Sequence, residues 1–106
     1  MTTLYMVFDV ESVGLHGEGW AVGYVVVTSG GEEVEYGRFE CWLDNARGSD
    51  EGRAWVRANC RFGEMNCSTP AEVRAGFWSV WRRWREQGAV LVADCARGPS
   101  RPDSSR

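Results

Sequence analysis

Near the N-terminus, a run of apolar residues ends in two acids, Asp9 and Glu11, on either side of Val10. Residues two apart in a β-strand face the same side, so these carboxylates should project together, roughly 6.5–7 Å apart. Residues 4–8 are apolar on both alternating faces, which is typical of a central strand covered on both sides. The segment therefore predicts an inner strand, over about residues 4–11, of a layered α/β structure.

Paired carboxylates at the end of an apolar strand repel each other and resist burial. A divalent cation relieves both costs, and carboxylate oxygens suit Mg²⁺ or Mn²⁺. The alternative is a pair of solvated acids at the end of a strand. The pair Asp9 and Glu11 is therefore a candidate metal site that this segment alone does not establish.

Two further strands follow, over about residues 20–28 and 32–43. Tyr24-Val25-Val26-Val27 favours a strand, and Ser29-Gly30-Gly31 predicts a hairpin turn. In the third strand the alternation of apolar residues changes phase at Gly37, which predicts a bulge or bend there. These segments together predict a three-stranded antiparallel meander.

Two helices and a last strand follow the meander. Acids after Ser49 predict a short helix over about residues 50–59. Thr69-Pro70-Ala71-Glu72 combines an N-cap, a proline at the first helical position and a capping-box glutamate, and Gly88 ends this second helix. Its apolar stripe contains Val73, Phe77, Val80, Trp81 and Trp84. The continuous apolar run Ala89–Ala93 then predicts a buried strand parallel to the first.

Composition limits the classes of function. The chain has 106 residues, a net charge of −3, and twelve arginines without a lysine. The acidic balance argues against a general nucleic-acid coat but permits a nuclease whose acids bind metal ions. No apolar run approaches a membrane span and no secretory signal is recognisable, so we expect a cytoplasmic protein without a membrane partner. Four irregularly spaced cysteines favour reduced, mostly buried thiols over a structural zinc site.

The predicted order β-β-β-α-α-β brings the acids together. If the last strand lies parallel to the first, Asp94 follows it at the sheet edge where Asp9 and Glu11 lie. Adjacent strands are about 4.8 Å apart, so three carboxylates would gather there. Three such groups suffice for one or two divalent ions, the arrangement used in two-metal phosphodiester hydrolysis.

The residues that carry this pattern also resemble a known family. The segment from Phe8 to Leu15, FDVESVGL, is similar to the first motif, D-x-E-[ST]-x-G-L, of the DEDD (DnaQ-like) 3′–5′ exonucleases, which have a ribonuclease-H-like fold. Leu91-Val92-Ala93-Asp94-Cys95 looks like their second motif, and the element order agrees over about residues 4–96. The resemblance implies metal-dependent removal of nucleoside monophosphates from the 3′ end of DNA or RNA. It implies that the catalytic metal ligands for Mg²⁺ or Mn²⁺ are Asp9, Glu11 and Asp94, and that the terminal nucleotide contacts Ser12, Gly14 and Leu15.

The chain departs from the family after its second motif. The third motif, a His or Tyr shortly before a final Asp, has no match here, nor do the fifth strand and last helices. Two functions are therefore predicted: an exonuclease, or an inactive module that binds nucleic acid or a partner. We expect an incomplete exonuclease domain over residues 1–96, a disordered tail over 97–106, and a second copy or partner chain at the exposed edge of the strand before Asp94.

Overall fold

The computed structural model describes residues 2–14 and 16–93. It contains four strands and two helices in the order β1 Leu4–Ser12, β2 Gly19–Thr28, β3 Glu33–Glu40, α1 Asp50–Asn59, α2 Pro70–Arg85 and β4 Val90–Ala93, with a 3₁₀ turn at Leu43–Asn45 between β3 and α1. Three predicted features lie outside the described residues: Leu15, Asp94 and the tail 97–106.

The four strands form one mixed sheet in the order β3-β2-β1-β4. The β1–β2 and β2–β3 pairs are antiparallel, and β4 lies parallel to β1. The predicted turn closes the β2–β3 hairpin, where the Thr28 backbone N–H donates to the Glu32 carbonyl at 2.9 Å and Gly31 has φ +91°. This confirms the predicted α/β class with an antiparallel meander and one added parallel strand.

Of the bulge or bend predicted at Gly37, the bulge is wrong, because Gly37 pairs in register with Tyr24. The register of β3 shifts opposite Val26 and Val27 instead. A Cβ atom at Gly37 would lie 2.7 Å from the Tyr24 ring on the neighbouring strand, so glycine is needed there for close approach. The glycine reflects packing across the sheet rather than an irregular backbone.

Both helices begin at their predicted caps. The Ser49 hydroxyl accepts from the Gly52 N–H, and the Thr69 hydroxyl accepts from the Glu72 N–H at 3.2 Å. The Glu72 carboxylate in turn accepts from the Ser68 N–H at 2.7 Å, one residue earlier than in the usual capping box. After α2, Gly88 adopts φ +87°, a left-handed conformation that ends the helix.

Helix α2 covers one face of the sheet, as its apolar stripe predicts. Phe77 packs on Phe8 with ring centroids 5.1 Å apart, and the buried Trp84 joins Met6 and Val26 in one of two core clusters. The second cluster lies where β1 and β2 meet the helices and contains Val13, Trp20, Ala21, Val22, Cys41, Leu43, Ala46, Val56 and Val73. The core therefore occupies one face and one end of the sheet.

The prediction that β4 is buried is wrong, and β1 is only partly covered, since Met6 is the only buried residue of this strand. All four residues of β4 are exposed, including Leu91 at 37% and Val92 at 38%. In the described sheet β4 pairs only with β1, so β4 is an edge strand. An apolar run indicates a strand but does not say whether another layer covers it.

No helix in the part of the chain that the structure describes is long and apolar enough to span a membrane. The three described cysteines are free thiols, and Cys41 among them is buried. Burial raises the pKa of the Cys41 and Cys67 thiols, which keeps them protonated and unreactive.

Candidate functional site

The two acids of β1 face the same side of the sheet, as predicted. Asp9 pairs with Gly23 of β2 and Glu11 pairs with Ala21, so both acids lie on the face opposite to α2. Both are half-buried. Val10, between them, points the other way and is 51% exposed. The β2 residues opposite the acids, Gly23 and Ala21, have little or no side chain. They form a shallow surface beside the acidic pair, which we call the floor of the site.

Strand β4 lies parallel to β1, as predicted, and pairs with the residues just before these acids. Phe8 of β1 pairs with Ala93, the last residue of β4. Asp94 is the next residue in the sequence and lies outside the described residues. The structure therefore confirms the parallel pairing on which the three-acid hypothesis depends, while the contribution of Asp94 stays a prediction.

A tight turn directly follows the acids. The Ser12 hydroxyl donates to the Gly14 carbonyl at 2.7 Å, and Gly14 has φ +69°, a conformation that favours glycine. Their predicted contact with a terminal nucleotide stays a prediction, and Leu15 lies outside the described residues. The turn gives both residues a local structural role as well.

Glu18 fixes the loop that contains this turn. Its carboxylate accepts from the Arg47 N–H at 2.9 Å and from the Arg74 guanidinium of α2 at 3.2 Å. The backbone hydrogen bond from Arg47, with the Arg74 contact, holds the pKa of Glu18 below its usual value although partial burial opposes this. At the same place, Val13 packs so closely on Gly48 that a Cβ there would lie 2.3 Å from a Val13 methyl. The position of the turn is therefore set by contacts with the segment before α1 and with α2.

A basic side chain stands on the other side of the floor. Arg38 of β3 pairs with Gly23, so Asp9, Gly23 and Arg38 form one row across the sheet. Arg38 Nε donates to Glu40 Oε1 at 2.8 Å. Glu40 is completely buried and also accepts from the Gly63 N–H at 3.0 Å. The segment after α1 therefore covers Glu40 and leaves the Arg38 side chain 37% exposed.

Sequence reasoning did not identify Arg38, Glu40 or Cys60 as neighbours of the acids. Cys60 follows α1 and its thiol lies 4.0 Å from Glu11 Oε1. For Arg38, the available signal was its position in β3 together with the hairpin register, which brings it opposite Gly23. For Cys60 no local signal exists, because 49 residues separate it from Glu11.

The donor chemistry of the site fits a hard divalent ion. Asp9 and Glu11 supply carboxylate oxygens, which suit Mg²⁺ or Mn²⁺. Among residues 2–14 and 16–93, no group of three His, Cys, Asp or Glu side chains is arranged to hold a metal ion. The third predicted ligand, Asp94, is outside that range. The two described carboxylates therefore fit part of such a site.

Trp20 belongs to the core and is not an exposed stacking surface. It is the extra residue where the β1–β2 register shifts after Glu11, and it is completely buried. Phe62 stacks on it with ring centroids 5.0 Å apart and is itself 45% exposed. Phe62 therefore presents exposed aromatic surface over the buried Trp20.

The chain was compared with family models, with curated proteins and with solved structures, and none of the three comparisons found a match.

Proposed function

We propose that the protein is a metal-dependent 3′–5′ exonuclease of DNA or RNA, built on a ribonuclease-H-like fold. The sequence basis is the FDVESVGL segment, which matches every fixed position of the DEDD exonuclease motif. The four-stranded mixed sheet is compatible with such a fold. Asp9, Glu11 and Asp94 are the proposed ligands of Mg²⁺ or Mn²⁺.

One observation carries the proposal: β4 is parallel to β1 and ends beside it, with Ala93 opposite Phe8. The acidic pair of β1 begins one residue after Phe8, and Asp94 comes one residue after Ala93 in the sequence. Two strands with acids at matching sequence positions are what a three-carboxylate site requires. An antiparallel β4, or one on the far side of β3, would have removed this support.

The described residues suggest how the site works. Bound ions would neutralise charge on the phosphodiester and supply an activated water molecule. Asp9 and Glu11 project from β1, which pairs with β2 along the acidic pair and with β4 as far as Phe8. The turn at Ser12 and Gly14 borders them at the end of the strand and limits how far a substrate extends in that direction.

The test is release of mononucleotides from single-stranded DNA and RNA with Mn²⁺ or Mg²⁺. We expect ladders that shorten from the 3′ end of 5′-labelled oligonucleotides, and complete inhibition by a chelator. Asp9→Asn and Glu11→Gln keep side-chain size but remove negative charge, so each should lower the rate by about 10²–10³-fold. Circular dichroism establishes that both variants fold.

Ser79→Ala, at an exposed position of α2 on the opposite side of the sheet, is the matched control and should leave the rate unchanged. Equal product from the parent and from Asp9→Asn would identify a contaminating nuclease. A folded parent protein without metal-dependent product would reject the exonuclease.

A second candidate is a non-catalytic module that binds a partner chain or a second copy. The observation that favours it is the exposed apolar edge strand, with Val90 46% and Val92 38% exposed. Exposed strand edges of this kind readily pair with another strand. The two functions predict different results in the nuclease assay, since the module keeps its fold without turnover.

A further inference from the structure

The row formed by Asp9, Gly23 and Arg38 leaves an open floor between an acid and a base. Each residue pairs with its neighbour in the row, on the sheet face opposite to α2. Because strands are about 4.8 Å apart, the Cα atoms of Asp9 and Arg38 lie about 10 Å apart. Gly23 places no side chain between them. An ideal Cβ there would lie 3.8 Å from an Arg38 terminal nitrogen, so this nitrogen lies next to the glycine.

Arg38 is held in place by one edge of its guanidinium only. Its Nε donates to Glu40, and Glu40 is fixed in turn by the Gly63 N–H. Within the described residues, Nε is the only Arg38 side-chain nitrogen that donates a hydrogen bond. Towards the rest of the described chain, the two terminal nitrogens are therefore available on a pre-oriented side chain. Such a planar fork is well suited to the oxygens of a phosphate group.

Aromatic side chains border Arg38. Tyr36 precedes it by two residues on the same face of β3 and is 75% exposed. Phe62 adjoins Gly63 on the segment that covers Glu40, and one face of its ring is supported by Trp20. A phosphate-binding arginine beside exposed aromatic rings is typical of surfaces that bind single-stranded nucleic acid through its backbone and bases.

We propose that Arg38 forms a phosphate subsite for single-stranded nucleic acid, in which the terminal N–H groups hold a backbone phosphate over Gly23. This inference rests on the proposed exonuclease function and deepens it, because it names a substrate-positioning residue that the family resemblance does not supply. Asp9 and Glu11 lie across the floor from this subsite. A strand held at Arg38 would therefore be aligned with the acidic pair.

The test is binding of a fluorescent single-stranded oligonucleotide, measured by anisotropy with Ca²⁺ in place of Mg²⁺ over a range of salt concentrations. Arg38→Gln should weaken binding by about tenfold and reduce the slope of log affinity against log salt by about one, because one phosphate contact is lost. In the nuclease assay it should raise KM more than it lowers kcat.

Arg38→Gln also leaves the buried Glu40 with one partner fewer, so a second variant separates binding from folding. In Arg38→Gln/Glu40→Gln, two neutral amides can keep the buried hydrogen bond, and thermal melting establishes its stability. This double variant should show the same loss of affinity and of salt slope. Arg82→Gln is the matched control, because Arg82 is exposed on α2 at the other face of the sheet.

The outcomes separate the two proposals. If Asp9→Asn abolishes activity but both Arg38 variants keep parental affinity, salt slope and KM, the subsite is wrong and the exonuclease stands. If the parent has no activity but binds oligonucleotide through Arg38, the exonuclease is wrong and the subsite stands as a binding surface. A parent that binds no oligonucleotide, or an Arg82→Gln loss equal to that of Arg38→Gln, overturns the subsite.

Discussion

Glu35 joins α2 to the sheet through a single carboxylate. It accepts from the Tyr24 hydroxyl at 2.8 Å, from Arg83 at 3.0 Å and from the Trp84 indole N–H at 3.1 Å. Desolvation raises the pKa of Glu35, but these three donors together outweigh it and lower the pKa below its usual value. Its stabilising contribution is therefore present above the carboxyl pKa of the unfolded chain and is lost as the pH falls through the lowered value.

Tyr24 should make the stability of the fold sensitive to alkaline pH. Desolvation, then the hydrogen bond to Glu35, raises the pKa of Tyr24 to about 12. The unfolded chain loses this proton near pH 10, so the contribution is complete below that pH and is lost as the pH rises towards 12. Tyr24→Phe should cost about 0.5–1.5 kcal/mol at neutral pH and flatten the alkaline loss of stability. Urea unfolding over a series of pH values measures both effects.

Tyr36→Phe provides the comparison for this experiment. Tyr36 is 75% exposed, so the change should leave the free energy of unfolding and its alkaline slope close to those of the parent. An alkaline slope that persists unchanged in Tyr24→Phe would show that another group causes it.

At the scale of elements, α2 rests on β3 through a glycine. A Cβ at Gly76 would lie 2.6 Å from the Phe39 ring, closer than packed atoms approach. A glycine inside a helix costs about 1 kcal/mol relative to alanine. The close approach to Phe39 offsets that cost, because the missing side chain lets the helix pack nearer to the sheet.

Gly76→Ala tests which of these effects is larger. Helix propensity alone predicts stabilisation by about 1 kcal/mol, whereas overpacking in a core typically costs about 1–3 kcal/mol. Because the Phe39 ring is held between α2 and Tyr24, we expect net destabilisation in thermal and urea unfolding. Ser79→Ala, exposed on the same helix, should instead stabilise slightly. A stabilised Gly76→Ala variant would show that the ring moves aside easily.

At the scale of the whole molecule, the two faces of the described sheet are unequally covered. Helix α2 covers one face of the sheet, while the opposite face keeps exposed apolar side chains on β3 and β4, namely Val34, Tyr36, Val90 and Val92. The acids and Arg38 occupy one end of this second face. The open face therefore has room for a nucleic-acid strand at the end that contains the acids and Arg38. At the other end it presents the apolar edge formed by β4.

One positive charge on β4 should prevent dimer formation through this edge strand. Val92→Lys places a cation on the exposed edge strand, a substitution that opposes strand pairing. If a second copy pairs at β4, light scattering after gel filtration should show a parent dimer and a monomeric variant. Val34→Lys makes the same change on β3, at the other edge, and should keep the dimer. A parent that stays monomeric at high concentration excludes self-association at this edge.

The sequence alone determined the local elements. Alternation of apolar residues, the caps at Ser49 and Thr69, and the Ser29–Gly31 turn predicted the strands and helices close to their observed bounds. It also placed Asp9 and Glu11 on one face, because the two-residue period of a strand is a local property. The contributions of Asp94 and Leu15 stay predictions, since both lie outside the described residues.

Only the tertiary structure decided which surfaces are covered and what lies across from the acids. Burial depends on which layers meet, and no described layer covers the apolar β4, which is an exposed edge strand. Gly37 makes room for the Tyr24 ring on the neighbouring strand and does not form a bulge. Arg38 lies in the same row as Asp9 because of the registers of the β1–β2 and β2–β3 pairs. Such contacts join residues far apart in the chain, and their free energy depends on the whole sheet rather than on any local pattern.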